Sequence, residues 1–285
     1  MALFDVLPEW NSPLTPGVQL VNLSHSEDQM ILRAELGADW ARMFAQLHCA
    51  GDGLVMTRNE AAILGRRMAY PALNVTSGGG KAACGEGGLW LDFHHLGAAR
   101  AVHIRRETGH VFGVEFSDEV GHTVHRFTLT PESDMDEFIA WVRLHQACAA
   151  HTPDKWRDDG NDAPVAPRTV RQSDAGALVS IVAACVERVL PVRVTVRCPA
   201  VTQRAEFTPR SFQPCGEWWF ASDDAHGFHF QPGRFASVRV EERPCEGRGA
   251  RAVLGALAEG GTGALLIEAG FGAEGPWRAL IEMLA

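Results

Sequence analysis

The chain has 285 residues, of which 46% are hydrophobic and 21% charged, with a formal net charge of −9. That balance predicts folded domains and excludes a mostly disordered chain. The acidity argues against nucleic acid as a partner, because that needs a broad basic face, but it leaves room for a local basic pocket around an anionic ligand. No apolar run approaches the roughly 20 residues of a membrane span, so no membrane partner is expected. The opening MALFDVLPEW carries acids and a proline with no basic stretch, and is not expected to act as a signal peptide.

The first half begins with Pro8, Pro13 and Pro16 and a short apolar stretch, Val18 to Leu23. Trp40, Met43, Phe44 and Leu47 recur at helical spacing and predict a helix over Ala38 to Cys49, ended by Gly51 and Gly53. A strand is expected at Leu54 to Met56, then Thr57-Arg58-Asn59-Glu60. Further strands run to Leu129 between turns such as Gly78-Gly79-Gly80. Val114 and Phe116 alternate with polar neighbours, Asp118 to Gly121 supplies a turn, and Val124, Phe127 and Leu129 mark the returning strand. Ser133 followed by Asp136 has the form of a capping box, and Phe138, Ile139 and Val142 predict a helix from Ser133 to Ala149.

Residues 151–167, rich in proline, glycine and acids, are expected to form a linker in which only Trp156 is large and apolar. A helix follows over Ala175 to Val189, with strands at Arg193–Arg197, Gln203–Phe207, Trp218–Ala221, Phe228–Phe230 and Ser237–Glu241. A last strand, Ala264 to Ile267, leads to a helix with Pro276 in its first turn and Trp277, Leu280, Ile281 and Leu284 on its apolar face. The order repeats, and strands and helices are segregated, so the expected fold class is α+β with a duplicated repeat. Each half is a large antiparallel sheet flanked by helices. The boundaries are an N-terminal repeat over 1–150 and a C-terminal repeat over 168–285.

The residues filling Val114 to Val142 are more specific than their element order: a turn Gly121, then His125-Arg126, Leu129-Thr130 and Ser133-Asp134 before an aromatic helix. They resemble the haem-utilisation proteins of the HemS/ChuS/HmuS kind, the hemin-degrading family. Thr57 to Glu60 and Glu217 to Pro244 resemble the same family, the latter its W-x-x-V…F-x-L-H-L…R-K-P segment without a gap. The resemblance implies a duplicated α+β fold, a cytoplasmic location and haem or another tetrapyrrole, with its iron, as partner and cofactor. It places His125, expected to be structural, and His229, a haem-binding candidate whose alternative is a structural role, on family strand histidines, and Arg243 where the family has a basic residue reaching towards haem. Arg243 could hold a propionate, since a guanidinium fork suits a carboxylate. Arg100 is a second candidate for that role.

The departures carry equal weight. The family's axial histidine follows a linker Trp-Arg; here Trp156-Arg157 leads into Asp158-Asp159-Gly160-Asn161-Asp162 and Ala163 stands at the corresponding place. An arginine that the family sets opposite it is matched by Asp92. Carboxylate is a poor ligand for haem iron. If Trp90, Asp92 and His94 alternate on one strand face, His94 becomes the substitute ligand, with Asp92 orienting its ring and His95 facing the other way. The alternative is that His94 and His95 are rim residues. His122 and His125 should face opposite sides and make no metal pair.

Other chemistry is not signalled. Gly78-Gly79-Gly80-Lys81 lacks the spacing of a phosphate-binding loop and reads as a flexible turn, Tyr70 has no ligand context, and no hydrolase or dinucleotide motif occurs. The seven cysteines form no C-x-x-C pair and are expected to be buried thiols in a reducing cytosol, with no metal site. Three functions stay open: haem binding or trafficking with a rebuilt pocket, a non-enzymatic scaffold relative that has lost haem and serves another ligand or a protein partner, and a haem-degrading enzyme. Exposed sheet edges are compatible with a homodimer.

Overall fold

The computed structural model describes residues 30–76, 78–84, 87–106, 109–147, 168–245, 249–261 and 263–283. The opening prolines, Val18 to Leu23, the linker 151–167 with Trp156, Arg157 and Ala163, and Leu284 lie outside the described residues. The first half runs β1 (Met30–Glu35), α1 (Trp40–Gln46), β2 (Gly51–Arg58), β3 (Ala62–Ala69), β4 (Asn74–Val75), β5 (Gly79–Cys84), β6 (Gly87–Asp92), β7 (Leu96–Arg106), β8 (Gly109–Asp118), β9 (Thr123–Ser133) and α2 (Met135–Ala147). The second runs β10 (Arg168–Ser173), α3 (Ala175–Glu187), β11 (Val192–Arg197), β12 (Val201–Phe207), β13 (Ser211–Cys215), β14 (Trp218–Ser222), β15 (His226–Phe230), β16 (Phe235–Cys245), β17 (Gly249–Ala258), β18 (Ala264–Ala269) and α4 (Glu274–Met283).

The two halves therefore match in order: strand, helix, five strands, three strands, helix. A short 3-10 turn precedes β7 at Phe93–His95 and β16 at Pro232–Arg234. The strands form two antiparallel sheets, in the orders β1-β7-β8-β9-β2-β3-β15-β14-β13 and β10-β16-β17-β18-β11-β12-β6-β5-β4. Each sheet takes six strands from one repeat and three from the other. The expected duplicated α+β class is what the chain adopts. Two compact units result, Met1–Met56 with Arg67–Ala82 and Asp92–Trp156, and Thr57–Arg66 with Ala83–Leu91 and Arg157–Ala285. Among the described residues no helix is long and apolar enough to cross a membrane.

In the first unit α1 buries Trp40, Met43 and Phe44, as its spacing predicts. Phe44 stacks on Phe116, with centroids 4.4 Å apart, and on Phe93 at 5.5 Å. Trp141 of α2 is tied to the Met43 carbonyl by its indole N–H at 3.1 Å. In the second unit α3 and α4 bury Leu178, Ile181, Val182, Trp277, Leu280 and Ile281 against Val194, Val196, Val240, Leu254, Leu265 and Ile267.

Several local expectations change. The N-cap of α2 is Asp134, whose carboxylate accepts from the Glu137 N–H at 3.0 Å. Ser133 instead donates to the Asp52 carbonyl and accepts from the Thr130 N–H. Gly53 does not end a helix but lies inside β2, where a Cβ would sit 2.3 Å from Phe127. Gly79 to Lys81 are strand, paired as Val75↔Gly80 and Asn74↔Lys81, not a flexible turn. The cysteines are not uniformly buried: Cys185 and Cys198 are, whereas Cys49 and Cys215 are exposed.

Candidate functional site

Directly paired residues of an antiparallel sheet share a face, and neighbours along a strand alternate. The inner face of the second unit carries the apolar set just described. Its outer face carries Arg239, Glu241 and Arg243 on β16, Arg251 and Gly255 on β17, Glu268 on β18, Arg193 and Thr195 on β11, Arg204 and Glu206 on β12, and Gly88 and Trp90 on β6. Six arginines, Arg197 at the exposed end of β11 included, against three glutamates make this face cationic in a chain that is acidic overall.

The three glutamates are all engaged. Glu241, only 1% exposed, accepts from Arg239 Nε at 2.5 Å and from Arg243 at 2.7 and 3.0 Å. Gly255, opposite Arg239, leaves the room into which the Glu241 carboxylate leans, since a Cβ there would stand 3.3 Å from Oε1. Arg193 reaches Glu206 at 2.6 Å and Glu268 at 3.7 Å, and Arg251 lies 3.8 Å from Glu268. Burying charge is costly unless it is paired, and these pairs meet that requirement.

Arg204 differs. Among the described residues it has no carboxylate partner, and its Nε is buried without an acceptor. Its guanidinium carbon lies 5.2 Å from the ring centroid of Trp90. Burial pushes its pKa below the ordinary value, an effect Glu268 offsets and the like charges of Arg193, Arg251 and Arg243 reinforce. Chemically, the face offers guanidinium N–H groups to carboxylates beside one exposed aromatic ring.

Of the residues singled out from sequence, Arg243 lies on this face. Arg100 lies on β7 of the first unit, where its Nε donates to Glu35 at 2.6 Å. His229 faces away from Phe228 and Phe230 as expected, and its ring stacks on Phe220 with centroids 4.2 Å apart. Burial pushes its pKa down to about 4, so it is a neutral, packed imidazole. His125 is wholly buried and accepts or shares a proton with the Tyr70 hydroxyl at 3.1 Å.

The expected alternation of Trp90, Asp92 and His94 fails, because β6 ends at Asp92 and the chain turns through Phe93–His95. Asp92 does not orient the His94 ring; its carboxylate caps the turn, accepting the His94 backbone N–H at 3.0 Å, and stands 4.0 Å from His95 Nε2. His94 and His95 are both exposed, with His94 Nε2 close over Gly78. His122 is exposed in the turn before β9 while His125 is buried, so they form no pair. Among the described residues no group of three or more His, Cys, Asp or Glu could hold a metal ion.

Sequence reasoning missed Arg193, Arg204, Arg239, Arg251 and Trp90 as a group. A signal was present: arginine at alternate positions in strands whose other positions are valine or alanine, as in Arg193-Val194-Thr195 and Arg204-Ala205-Glu206. What it lacked was the strand order that sets them side by side.

The class this architecture defines is the duplicated two-sheet α+β fold of haem-utilisation proteins. Holo-PhuS, a haem-binding protein from Pseudomonas aeruginosa, matches with a TM-score of 0.73 at 18% identity, over 88% of this chain and 86% of that one. ChuS, described as a haem-degrading enzyme of Escherichia coli O157:H7, matches with a TM-score of 0.73 at 15% identity over 88% and 86%. A second ChuS structure, described as an E. coli haem oxygenase, gives 0.70 at 15% over 88% of each chain. No family model matches the sequence, and no curated protein matches it by sequence. At such identities the likeness establishes the fold.

Proposed function

We propose that this chain is a divergent haem-utilisation protein of the cytoplasm that binds or carries haem or a related tetrapyrrole on the outer face of its second unit. The observation that supports this reading most is Arg204, a part-buried cation with no carboxylate partner among the described residues, on the face that also carries Arg193, Arg243 and Arg251. Two propionates would complete that charge set. The face fits the ligand's carboxylates better than its iron, because the described residues of that face include no imidazole, thiolate, thioether or phenolate. His94, exposed in the first unit and with no hydrogen bond to its ring among the described residues, is proposed, independently of that face, as a substitute for the axial histidine.

A second reading is that the chain keeps the scaffold without haem and serves another ligand or a protein partner. Asp92 favours it, since the carboxylate standing at the family's arginine position is committed to capping a turn. Fold alone does not decide between the two. Among the described residues none is assigned to the haem-degrading reading.

Titration of the purified protein with hemin, followed in the Soret region on wild type and His94→Ala, tests the proposal. Saturable binding with a sharp, shifted band is the expected result, and the substitution should change the band and weaken binding while the charged face still holds the ring. A broad, non-saturating response identical in both proteins would favour the scaffold reading.

A further inference from the structure

The geometry points to Trp90 and Arg204 as a flat clamp for the ring of a planar polycarboxylate, a tetrapyrrole bearing propionates, and the assignment rests on the reading of the charged face given above. Gly88 lies directly opposite Arg204 in the β6–β12 pair. A Cβ at Gly88 would sit 2.3 Å from Trp90 Cη2, 2.7 Å from Cζ3 and 2.9 Å from Cζ2. The indole is therefore laid back along its own strand over the missing side chain and does not stand off into solvent. In that position it meets the Arg204 guanidinium at 5.2 Å from its centroid, within the range of a cation–π contact. Trp90 is nevertheless 36% exposed, so part of the ring remains open for a second planar group.

The charge of Arg204 gives the clamp its preference. A guanidinium has five N–H donors in a fixed plane, and among the described residues this one has no acceptor for its buried Nε. The glutamates nearest to it are held by Arg193 and Arg251. An aromatic ligand that carries carboxylates satisfies both halves of the clamp: its ring covers the open part of the indole, and a carboxylate takes the guanidinium's terminal N–H groups, the buried Nε staying out of reach. A neutral aromatic would leave the cation uncompensated, and a non-planar anion would leave the indole uncovered.

Iron-free protoporphyrin is the probe, because it removes any contribution from an axial ligand. Its affinity is read from porphyrin fluorescence and its seating from the circular dichroism induced in the Soret band, on wild type, Trp90→Phe, Trp90→Ala, Gly88→Ala and Arg204→Gln. Trp90→Phe should bind within about threefold of wild type. Trp90→Ala and Gly88→Ala should each weaken binding about tenfold, the size of one lost aromatic stack, and change the induced dichroism. Gly88→Ala keeps the indole but lifts it, and it displaces only the far edge of a side chain, so the fold should be retained and thermal melting checks this. Wild type that binds, with both alanine variants unchanged in affinity and dichroism, would overturn the clamp and leave the charged-face reading standing. Binding of hemin but not of the iron-free ring would overturn it too. If neither ligand binds wild type, the proposed function itself falls and the clamp with it.

Discussion

Glu241 and Arg243, two residues apart on one face of β16, are joined by two hydrogen bonds of 2.7 and 3.0 Å, and the carboxylate is 1% exposed while the guanidinium side chain is 38% exposed. Arg243 thus belongs first to the protein's own charge network and only secondly to any ligand. Arg239 holds the other carboxylate oxygen. Replacing Arg243 by Ala leaves Glu241 one partner and should cost about 1–2 kcal/mol, discounted for the exposure of the arginine. Replacing both arginines strands a buried carboxylate and should cost about 3–5 kcal/mol. Urea unfolding of the single and double variants measures this; additive, equal losses would contradict it.

The same commitment ranks the arginines for ligand binding. Among the described residues Arg204 has no hydrogen-bonded carboxylate to share it with a ligand, so Arg204→Gln should weaken tetrapyrrole binding more than Arg243→Ala does. Binding constants for the two variants, measured side by side, check the order.

Acid should destabilise the first unit through His125. Its imidazole is wholly buried, and burial pushes its pKa down to about 3, against which a hydrogen bond to the Met56 backbone acts weakly. The folded pKa lies below the unfolded value of 6.5, so the unfolded chain takes up a proton first as pH falls. Stability is then fully present above about pH 6.5 and declines towards pH 3, with a slope of up to about 1.4 kcal/mol per pH unit for this one group. His145, pushed down to about 4 by burial, steepens the slope in the first unit, and His229, likewise about 4, acts in the same direction in the second. Urea midpoints at several values between pH 7.5 and 4.5 measure it, and a flat profile would contradict a buried neutral His125. Tyr70→Phe removes the hydroxyl that faces its Nε2 and should cost about 1–3 kcal/mol at neutral pH.

Asn59 fastens the β2–β3 turn within the second unit. Its Nδ2 donates to the carbonyls of Arg197 at 3.0 Å and Ala264 at 3.1 Å, and its Oδ1 accepts from the N–H groups of Ala61 and Ala62 at 2.9 and 2.8 Å. Glu60 adds a bond from the Gly260 N–H at 2.9 Å. Asn59→Ala strands several part-buried backbone groups and should cost about 3 kcal/mol or more. Thermal melting and urea unfolding of that variant give the value; a loss near zero would mean water replaces the side chain.

These cases show what the sequence made legible. The Thr57–Glu60 match was visible as a resemblance, and the structure supplies its reason, an asparagine that spans two strands distant in sequence. Helix faces such as Trp40, Met43 and Phe44 were readable because helical spacing is local. Strand β17 was not, because Gly249 to Ala258 is mostly Gly, Ala and Leu and carries no alternation of polarity. The charged face was hidden for a different reason: Arg193, Arg204, Arg243 and Trp90 come together only through strand order, which no local pattern encodes. His94 was misplaced by one assumption, that β6 continued past Asp92, whereas the Asp92 carboxylate ends the strand by capping the next turn.

The most direct test of the central claim is hemin titration of wild type and of the Arg204→Gln/Arg251→Gln double variant at low and high salt. If the outer face of the second unit holds the propionates, wild type should bind one hemin saturably. The double variant should then bind at least tenfold more weakly, and with a shallower dependence on salt, as expected when charged contacts are removed. Equal binding by both proteins at both salt concentrations would contradict the account, because the ligand would then be held without the cations that define the site.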